Sequence, residues 1–327
     1  MSDPLPIDPI YVHRYALRSG MALNSASHRR EFPGALIRVG EGYGCIHPWP
    51  EFGDEPLESQ LELLAEGRPT PLAQRAIDCC SLDGKARRSG VSLFEGLTIP
   101  QSHYSWSFGQ DTDPQISRVL EEGWPAIKAK GFANWGETIR FLECVSKAAG
   151  ERPLKLRVDF NGCLDKHGLS KFCEFMPMRV YHRLDLIEDP VPYEAEVWSL
   201  IRERWNVRLA LDKGWQRGTD GFDAVVIKPA RRDWRTIAAK FPSQPLVLTS
   251  AMDHAFGQMY AAYEAALAWA EMPDRISYCG LCTQHLFEND AFFEHLISPA
   301  GWLKNRHPGT GLGFDDVLPT LPWTRLT

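Results

Sequence analysis

What this chain has little of narrows its function first. Across 327 residues no apolar run approaches the roughly 18 residues that a membrane span needs, and the N-terminal stretch is interrupted by Arg14 and Arg18. No membrane partner is expected, and a cytoplasmic protein is. Positive charge is not in excess: Lys and Arg total 36 against 42 Asp and Glu, a net charge of −6. That balance offers no basic face for nucleic acid or an anionic membrane surface, so a small-molecule partner is expected. The 8 cysteines are scattered through a long chain, unlike the dense framework of a small secreted domain, and they read as reduced thiols. Cys279-Gly-Leu-Cys282 has zinc-type spacing, but no second pair completes the four ligands of a structural zinc. A dinucleotide fingerprint is missing too, because no Gly-x-Gly-x-x-Gly turn follows a strand-like run. Gly309-Thr-Gly-Leu-Gly313 follows no strand and reads as a plain loop.

What is present is the composition of an ordinary globular protein, 44% hydrophobic and 24% charged, on a chain long enough for two domains or one elaborated barrel. Residues 10–17 and 34–40 read as strands, with a hairpin turn expected at 41–44, and His47-Pro-Trp-Pro50 breaks the sheet. Residues 58–66 and 70–89 have helical spacing, the second opening on Thr70-Pro71, a capping residue followed by proline at the first helical position. From about residue 99 the texture changes. Short β-branched runs at 126–130, 154–160, 184–188, 207–211, 224–228, 246–250 and 276–280 alternate with helical stretches at 135–149, 193–205, 234–241 and 256–270. Such alternation implies βα units on a parallel sheet. One more strand near 97–103 makes eight, the number that closes a barrel. The fold expected is α/β, a (β/α)8-type barrel over residues 99–300, with a small α+β domain over 1–98 that residues 301–327 complete.

The barrel runs deliver charge at their C-terminal ends. Lys128 and Lys130 end the first, Asp159, Glu188 and Asp212 the next three, and Lys228 the one after. Strand ends of a barrel converge on one face, so these residues meet in space. Three carboxylates in one place repel, and a hard divalent cation is the usual remedy: oxygen ligands suit Mg²⁺, with Mn²⁺ as its substitute. Lys128 and Lys130, two apart in a strand, share a face, and Lys228 arrives from the opposite side. Lysines beside a bound cation are expected to have lowered pKa values and to act as general bases. The arrangement suits removal of a proton α to a carboxylate. Singly, each residue has a plainer reading, as a turn former, a helix cap or a solvated edge-strand lysine. Their conjunction in one order around one barrel outweighs those readings.

These residues resemble the enolase superfamily in its muconate-cycloisomerase-like branch. Lys128-Ala-Lys130 matches the family's Lys-x-Lys, Asp159, Glu188 and Asp212 its metal ligands, and Lys228 the lysine on its sixth strand. Val158-Asp-Phe-Asn-Gly162, Leu248-Thr-Ser-Ala-Met-Asp253 with Gly257, and Tyr278-Cys-Gly-Leu-Cys-Thr283 are most similar to the o-succinylbenzoate synthase family of menaquinone biosynthesis. The resemblance implies an Mg²⁺-dependent carbon–oxygen lyase, with the N-terminal domain capping the barrel. Its reaction removes water from 2-succinyl-6-hydroxy-2,4-cyclohexadiene-1-carboxylate. It further implies that Lys130 takes the α-proton and returns it to the departing hydroxyl, that Lys228 stabilises the enediolate, and that Lys128 supports Lys130 or contacts the substrate carboxylate. Asn161 would orient a ligand, Ser250 and the backbone around Gly280 would receive the succinyl end, and residues 23–32 would close over the site. Three positions depart from the family pattern: Lys213, the 47–50 stretch and Asp253. The alternatives are an N-acylamino-acid racemase or a cycloisomerase on the same fold, or a barrel that keeps the site for stability alone. Nothing in the sequence sets an oligomeric state.

Overall fold

The computed structural model describes residues 8–23, 29–107 and 112–327. The N-terminal part is an antiparallel sheet of β1 (Ile10–Arg18), β2 (Glu31–Val39) and β3 (Gly42–Ile46), covered by α1 (Leu57–Ala65) and α2 (Pro71–Arg88). Helix α2 begins where the sequence places it: the Thr70 hydroxyl accepts a hydrogen bond from the Ala73 N–H at 3.2 Å, and Pro71 follows at the first helical position. The hairpin turn lies at residues 40–41, not 41–44, because Gly42 and Gly44 belong to β3. They are glycines for another reason. A Cβ on either would collide with the backbone carbonyls of Cys80 and Ala76, so only glycine lets α2 lie flat on the strand.

The rest of the chain is built on a parallel sheet of β4 (Tyr104–Trp106), β5 (Ala126–Lys130), β6 (Lys155–Asp159), β7 (Leu184–Glu188), β8 (Leu209–Leu211), β9 (Ala224–Ile227) and β10 (Leu246–Leu248). Between and after them run α3 (Thr112–Glu121), α4 (Trp135–Ala149), α5 (Lys166–Glu174), α6 (Met178–Tyr181), α7 (Ala195–Trp205), α8 (Trp234–Lys240) and α9 (Ala255–Glu271). The eighth position is filled by residues 276–280, which bridge in parallel to β10 at Leu246↔Ile276 and Thr249↔Gly280 and to the other edge at Ser102↔Cys279. Hydrogen bonds from Gly280 N–H to Leu248 O at 2.9 Å and from His103 N–H to Cys279 O at 2.8 Å close the ring. The strand expected near 97–103 is shifted to 104–106. Pro100 has no N–H for a ladder, and before the strand proper only a single bridge forms at Ser102↔Cys279, through Gln101 O and the His103 N–H.

Side chains alternate with period two. Ile127, Val158, Ile187, Leu211, Ile227 and Leu248 join the core shared with the helices, while Leu186, Ala210, Ala224, Val226 and Val247 form a separate apolar cluster within the barrel. Two residues beyond Leu186, Ala210 and Val226, and so on the same face, stand Glu188, Asp212 and Lys228, which is how a buried apolar layer comes to carry a charged rim. Each fully buried Leu or Ile of these layers contributes about 1.5–3 kcal/mol. The chain's last strand, Thr324–Arg325, pairs with β1. Asp83 of α2 accepts from the N–H groups of Tyr43 and Leu312, tying the 301–327 segment to the N-terminal sheet. All eight cysteines are free. Among the described residues no helix is long and apolar enough to cross a membrane.

Candidate active site at the barrel mouth

A cavity of about 990 Å³ opens between the carboxyl ends of the strands and the N-terminal part. All nine residues expected at the site line it: Lys128, Lys130, Asp159, Asn161, Glu188, Asp212, Lys228, Ser250 and Gly280. The structure therefore brings together residues spread over most of the barrel sequence.

Charges are matched across the mouth. The Lys130 ammonium donates to Asp159 at 2.6 Å, Lys128 lies 2.6 Å from Glu188 and 3.1 Å from Asp159, and Lys228 donates to Asp212 at 2.5 Å. Asp159 and Glu188 are register partners on neighbouring strands, so one ammonium reaches both. Burial alone would raise the Asp159 carboxyl, but Lys128 and Lys130 outweigh it and hold the group below the usual carboxylate range. Asp212 is lowered in the same way, Lys228 overcoming burial. Glu188 goes up: burial and the nearby Asp159 charge win over its single close lysine. The expected lowering of the lysines is not found at Lys128. Burial pulls its pKa down, yet Asp159 and Glu188 together push it above its ordinary value.

The donor set, buried Asp159 and Glu188 with half-buried Asp212 at the ends of consecutive strands, has the chemistry of a hard-cation site. As they stand, however, no group of three or more His, Cys, Asp or Glu side chains among the described residues is gathered tightly enough to hold a metal ion. The carboxylates are turned to the lysines instead. Asp189, next to Glu188, is buried with one carboxylate oxygen accepting from the N–H of Asp212 at 3.1 Å and the other without a partner. Burial and the surrounding carboxylates raise it well above its ordinary value. An orphaned buried carboxylate oxygen beside this donor set fits a site that gains from added positive charge.

The remaining expected residues are placed as follows. Asn161 sits in the left-handed region, φ +50°, its N–H donating to Asp159 at 3.0 Å and its side-chain oxygen accepting from Lys213 at 3.2 Å. The Ser250 hydroxyl is buried, 2.8 Å from that of Thr283, and accepts from the Met252 N–H at 3.2 Å. The Gly280 N–H is held in the ladder by Leu248 O, so this residue offers space more than a donor: a Cβ there would stand 2.8 Å from Thr249 and 2.9 Å from His103. Of residues 23–32, numbers 24–28 lie outside the described residues. Leu23 lines the cavity, and Arg29 pairs with Glu51 at 2.9 Å while its guanidinium lies 4.7 Å from the Phe32 ring centroid.

His103 lines the cavity, but burial and the Arg157 charge hold it neutral, with Nδ1 3.2 Å from the Arg157 guanidinium. His254 caps α9, its Nδ1 accepting from the Phe256 N–H at 3.1 Å. Neither histidine is placed as a base. Sequence reasoning did not find Asp54, Arg231 or Arg232 as cavity residues. Arg231 bonds Asp54 across the two parts of the molecule. The Arg231-Arg232 pair directly after Lys228-Pro-Ala was the available signal. Lys213, flagged as a departure, points its ammonium at the Phe52 ring, 4.3 Å from the centroid.

Comparison with known proteins agrees with this geometry. Residues 10–86 match the family described as O-succinylbenzoate synthase, N-terminal domain. An o-succinylbenzoate synthase from Bdellovibrio bacteriovorus is 30% identical over 327 residues, covering 95% of this chain and 97% of the relative. Among solved structures, a mandelate racemase/muconate lactonizing protein from Herpetosiphon aurantiacus superposes with a TM-score of 0.73 at 17% identity, covering 95% of this chain and 99% of the other. A dipeptide epimerase from Cytophaga hutchinsonii, complexed with Mg and the dipeptide D-Ala-L-Val, superposes with a TM-score of 0.74 at 15% identity, covering 98% of this chain and 99% of the other. With its capped barrel, its ring of lysines and carboxylates and a relative that matches along nearly its whole length, the chain belongs to the o-succinylbenzoate synthase family of the enolase superfamily.

Proposed function

We propose that the protein dehydrates 2-succinyl-6-hydroxy-2,4-cyclohexadiene-1-carboxylate to o-succinylbenzoate, as a carbon–oxygen lyase of menaquinone biosynthesis in the cytoplasm. The observation that carries this reading is the pair of lysines, Lys130 and Lys228, on opposite sides of one cavity with three carboxylates between them. Lys130 takes the proton from the carbon bearing the carboxylate, and the electron pair left behind passes into that carboxylate as an enediolate. Lys228, from the other face, stabilises the charge that develops there. The hydroxyl then leaves with the proton that Lys130 returns, so one base serves both halves of a syn elimination and water is the only by-product. Lys128 fixes Asp159 and Glu188 and keeps the neighbourhood of Lys130 positive.

Asp159, Glu188 and Asp212 would hold Mg²⁺, with Mn²⁺ as substitute, and the bound ion supplies positive charge to the enediolate oxygens. Withdrawing the carboxylates from the lysines is what would free Lys130 to act as a base. Asn161 orients the mouth through Asp159 and Lys213, while Ser250 and the close backbone approach at Gly280 face the succinyl carbonyl. In this reading residues 1–98, completed by 301–327, form the cap, and 99–300 the catalytic barrel.

The test is direct. Purified protein is mixed with the cyclohexadiene substrate and its ultraviolet absorbance followed with Mg²⁺, with chelator, and in Lys130→Ala. Metal-dependent loss of substrate that disappears in the variant supports the synthase. An inactive wild type that exchanges the α-proton of N-succinyl amino acids with D₂O would replace it with the racemase reading, which uses the same two lysines.

A further inference from the structure

Among the described residues, one guanidinium of the cavity forms no ion pair, although the Asp212 charge is close enough to act on it. Lys128, Lys130 and Lys228 each meet a carboxylate, Arg231 meets Asp54, and Lys213 meets the Asn161 amide oxygen. Arg232 lines the same cavity and has no carboxylate partner among the described residues. It is only partly exposed, so solvent does not fully replace a counter-ion. Its position is fixed from two directions. The turn after β9 brings it back toward the mouth, the N–H groups of Arg231 and Arg232 both bonding to Lys228 O at 2.9 and 3.1 Å. Its guanidinium then lies over Trp215, 4.5 Å from the ring centroid.

Trp215 is itself held. Lys240 donates to its carbonyl oxygen at 2.9 Å, and the Lys240 ammonium stands 4.8 Å from the ring centroid. The indole N–H of Trp215 is buried and has no acceptor. The cavity thus presents a stacked, oriented guanidinium on an indole that is itself fixed in place. Stacking on an aromatic face leaves the edge of a guanidinium, which carries its N–H fork, free for a planar anion. A carboxylate fits that fork with two parallel hydrogen bonds. The neighbouring strand end differs: β10 pairs with β9, and the Ser250 and Thr283 hydroxyls beyond it, 2.8 Å apart, are neutral and suit a carbonyl oxygen rather than a full negative charge.

We propose that Arg232, seated on Trp215, is the receptor for a second, remote carboxylate of the substrate, so that the site selects dianions whose two acid groups are separated by a flexible arm. This deepens the synthase reading and rests on it for the identity of the arm, the succinyl chain. The first carboxylate belongs to the lysine side of the mouth and the second to Arg232. Binding energy gathered at the remote end then holds the reacting carbon against Lys130 without entering the chemical step.

The experiment measures binding, so it does not depend on turnover. o-Succinylbenzoate and its mono-ester at the succinyl carboxylate are titrated into the Mg²⁺-loaded wild type, Arg232→Met and Arg232→Lys, following tryptophan fluorescence, with melting temperatures to show that the variants are folded. The wild type is expected to prefer the free acid over the ester by about 10- to 100-fold, as for a charge-assisted bidentate pair. Arg232→Met should lose that preference, binding both equally, and Arg232→Lys should keep only part of it. A wild type with no preference, or an Arg232→Met that retains it, overturns the assignment. If o-succinylbenzoate does not bind at all, the synthase reading fails separately. N-succinyl amino acids, with the same remote acid, then replace it, and loss of their binding in Arg232→Met still decides for Arg232, its retention against.

Discussion

Two sets of buried charges stand two residues apart on β6 and are built in opposite ways. Arg157 donates to Asp185 at 2.7 Å, to Ser277 Oγ at 2.7 Å and to Tyr278 O at 2.5 Å, and it does not line the cavity. Each nitrogen of its planar fork has a partner, and Asp185 has Arg208 as a second partner at 3.1 Å. Asp159 instead faces two lysines across an open cavity. An arginine cannot give up its proton, whereas a lysine on a flexible stem can leave its partner and titrate. The lower set can only hold the barrel together; the upper set can change partners. Buried charge by itself is therefore no sign of chemistry, and saturation of the donors is the more telling property.

The comparison can be broken most severely at the mouth. Lys130→Ala and Lys228→Ala should each lower turnover per folded molecule by about 10²- to 10⁴-fold; turnover within tenfold of wild type would remove them from the chemistry. Arg157→Met should do the reverse. It should destabilise by about 3 kcal/mol, the low end for breaking a buried pair because Arg208 still serves Asp185, with kcat per folded molecule little altered. A urea midpoint that does not move would make the two sets alike. Saturating Mg²⁺ should stabilise the wild type by about 2.7 kcal/mol at a hundredfold excess over Kd. Asp212→Asn should abolish most of that gain, and chelator should return the wild type to its starting melting temperature.

The smallest effect sharpens the comparison with a third, neutral cluster. Asp253 is pushed up to about 7, burial being the main cause, against roughly 3.9 in an unfolded chain, and His254 is pushed down by burial to about 3. A raised carboxyl contributes stability that is full below pH ~4 and lost as pH rises toward 7; a lowered histidine contributes stability that is full above pH ~6.5 and lost as pH falls. The two slopes cancel in between. Asp253→Asn should unmask the histidine slope, gaining about 1.4 kcal/mol relative to wild type from pH 5.2 to 6.2. A stability difference constant across that interval would show that Asp253 is ionised in the native state.

Much of the site was legible because strand periodicity is a local property. Lys128, Lys130, Asp159, Glu188, Asp212 and Lys228 each end an apolar run, and topology alone then brings them to one rim. Which lysine faces which carboxylate was not legible, since that depends on strand stagger: Lys128 reaches Glu188, 60 residues away, as well as its neighbour's Asp159. The eighth strand at 276–280 was readable from its pattern, but the first was placed too early, because Pro100 lacks a ladder donor and only the end of that run, at Ser102↔Cys279, pairs. Asp54 meeting Arg231, 177 residues apart, had no local signature at all. Contacts between the two parts of the molecule are set by how the parts meet, and no periodicity records that.

The strand at Thr324–Arg325 carries one more consequence. It covers β1 through Tyr11↔Arg325 and Val12↔Thr324, and Leu326 N–H bonds Ile10 O at 2.8 Å. A chain leaving the ribosome therefore makes the first sheet early and receives its flanking strand only after the whole barrel has been synthesised. Throughout that interval the outer edge of β1 is an open template for a neighbouring nascent chain. Translation order thus leaves Tyr11 and Val12 of β1 without their flanking strand until the chain is complete to Arg325.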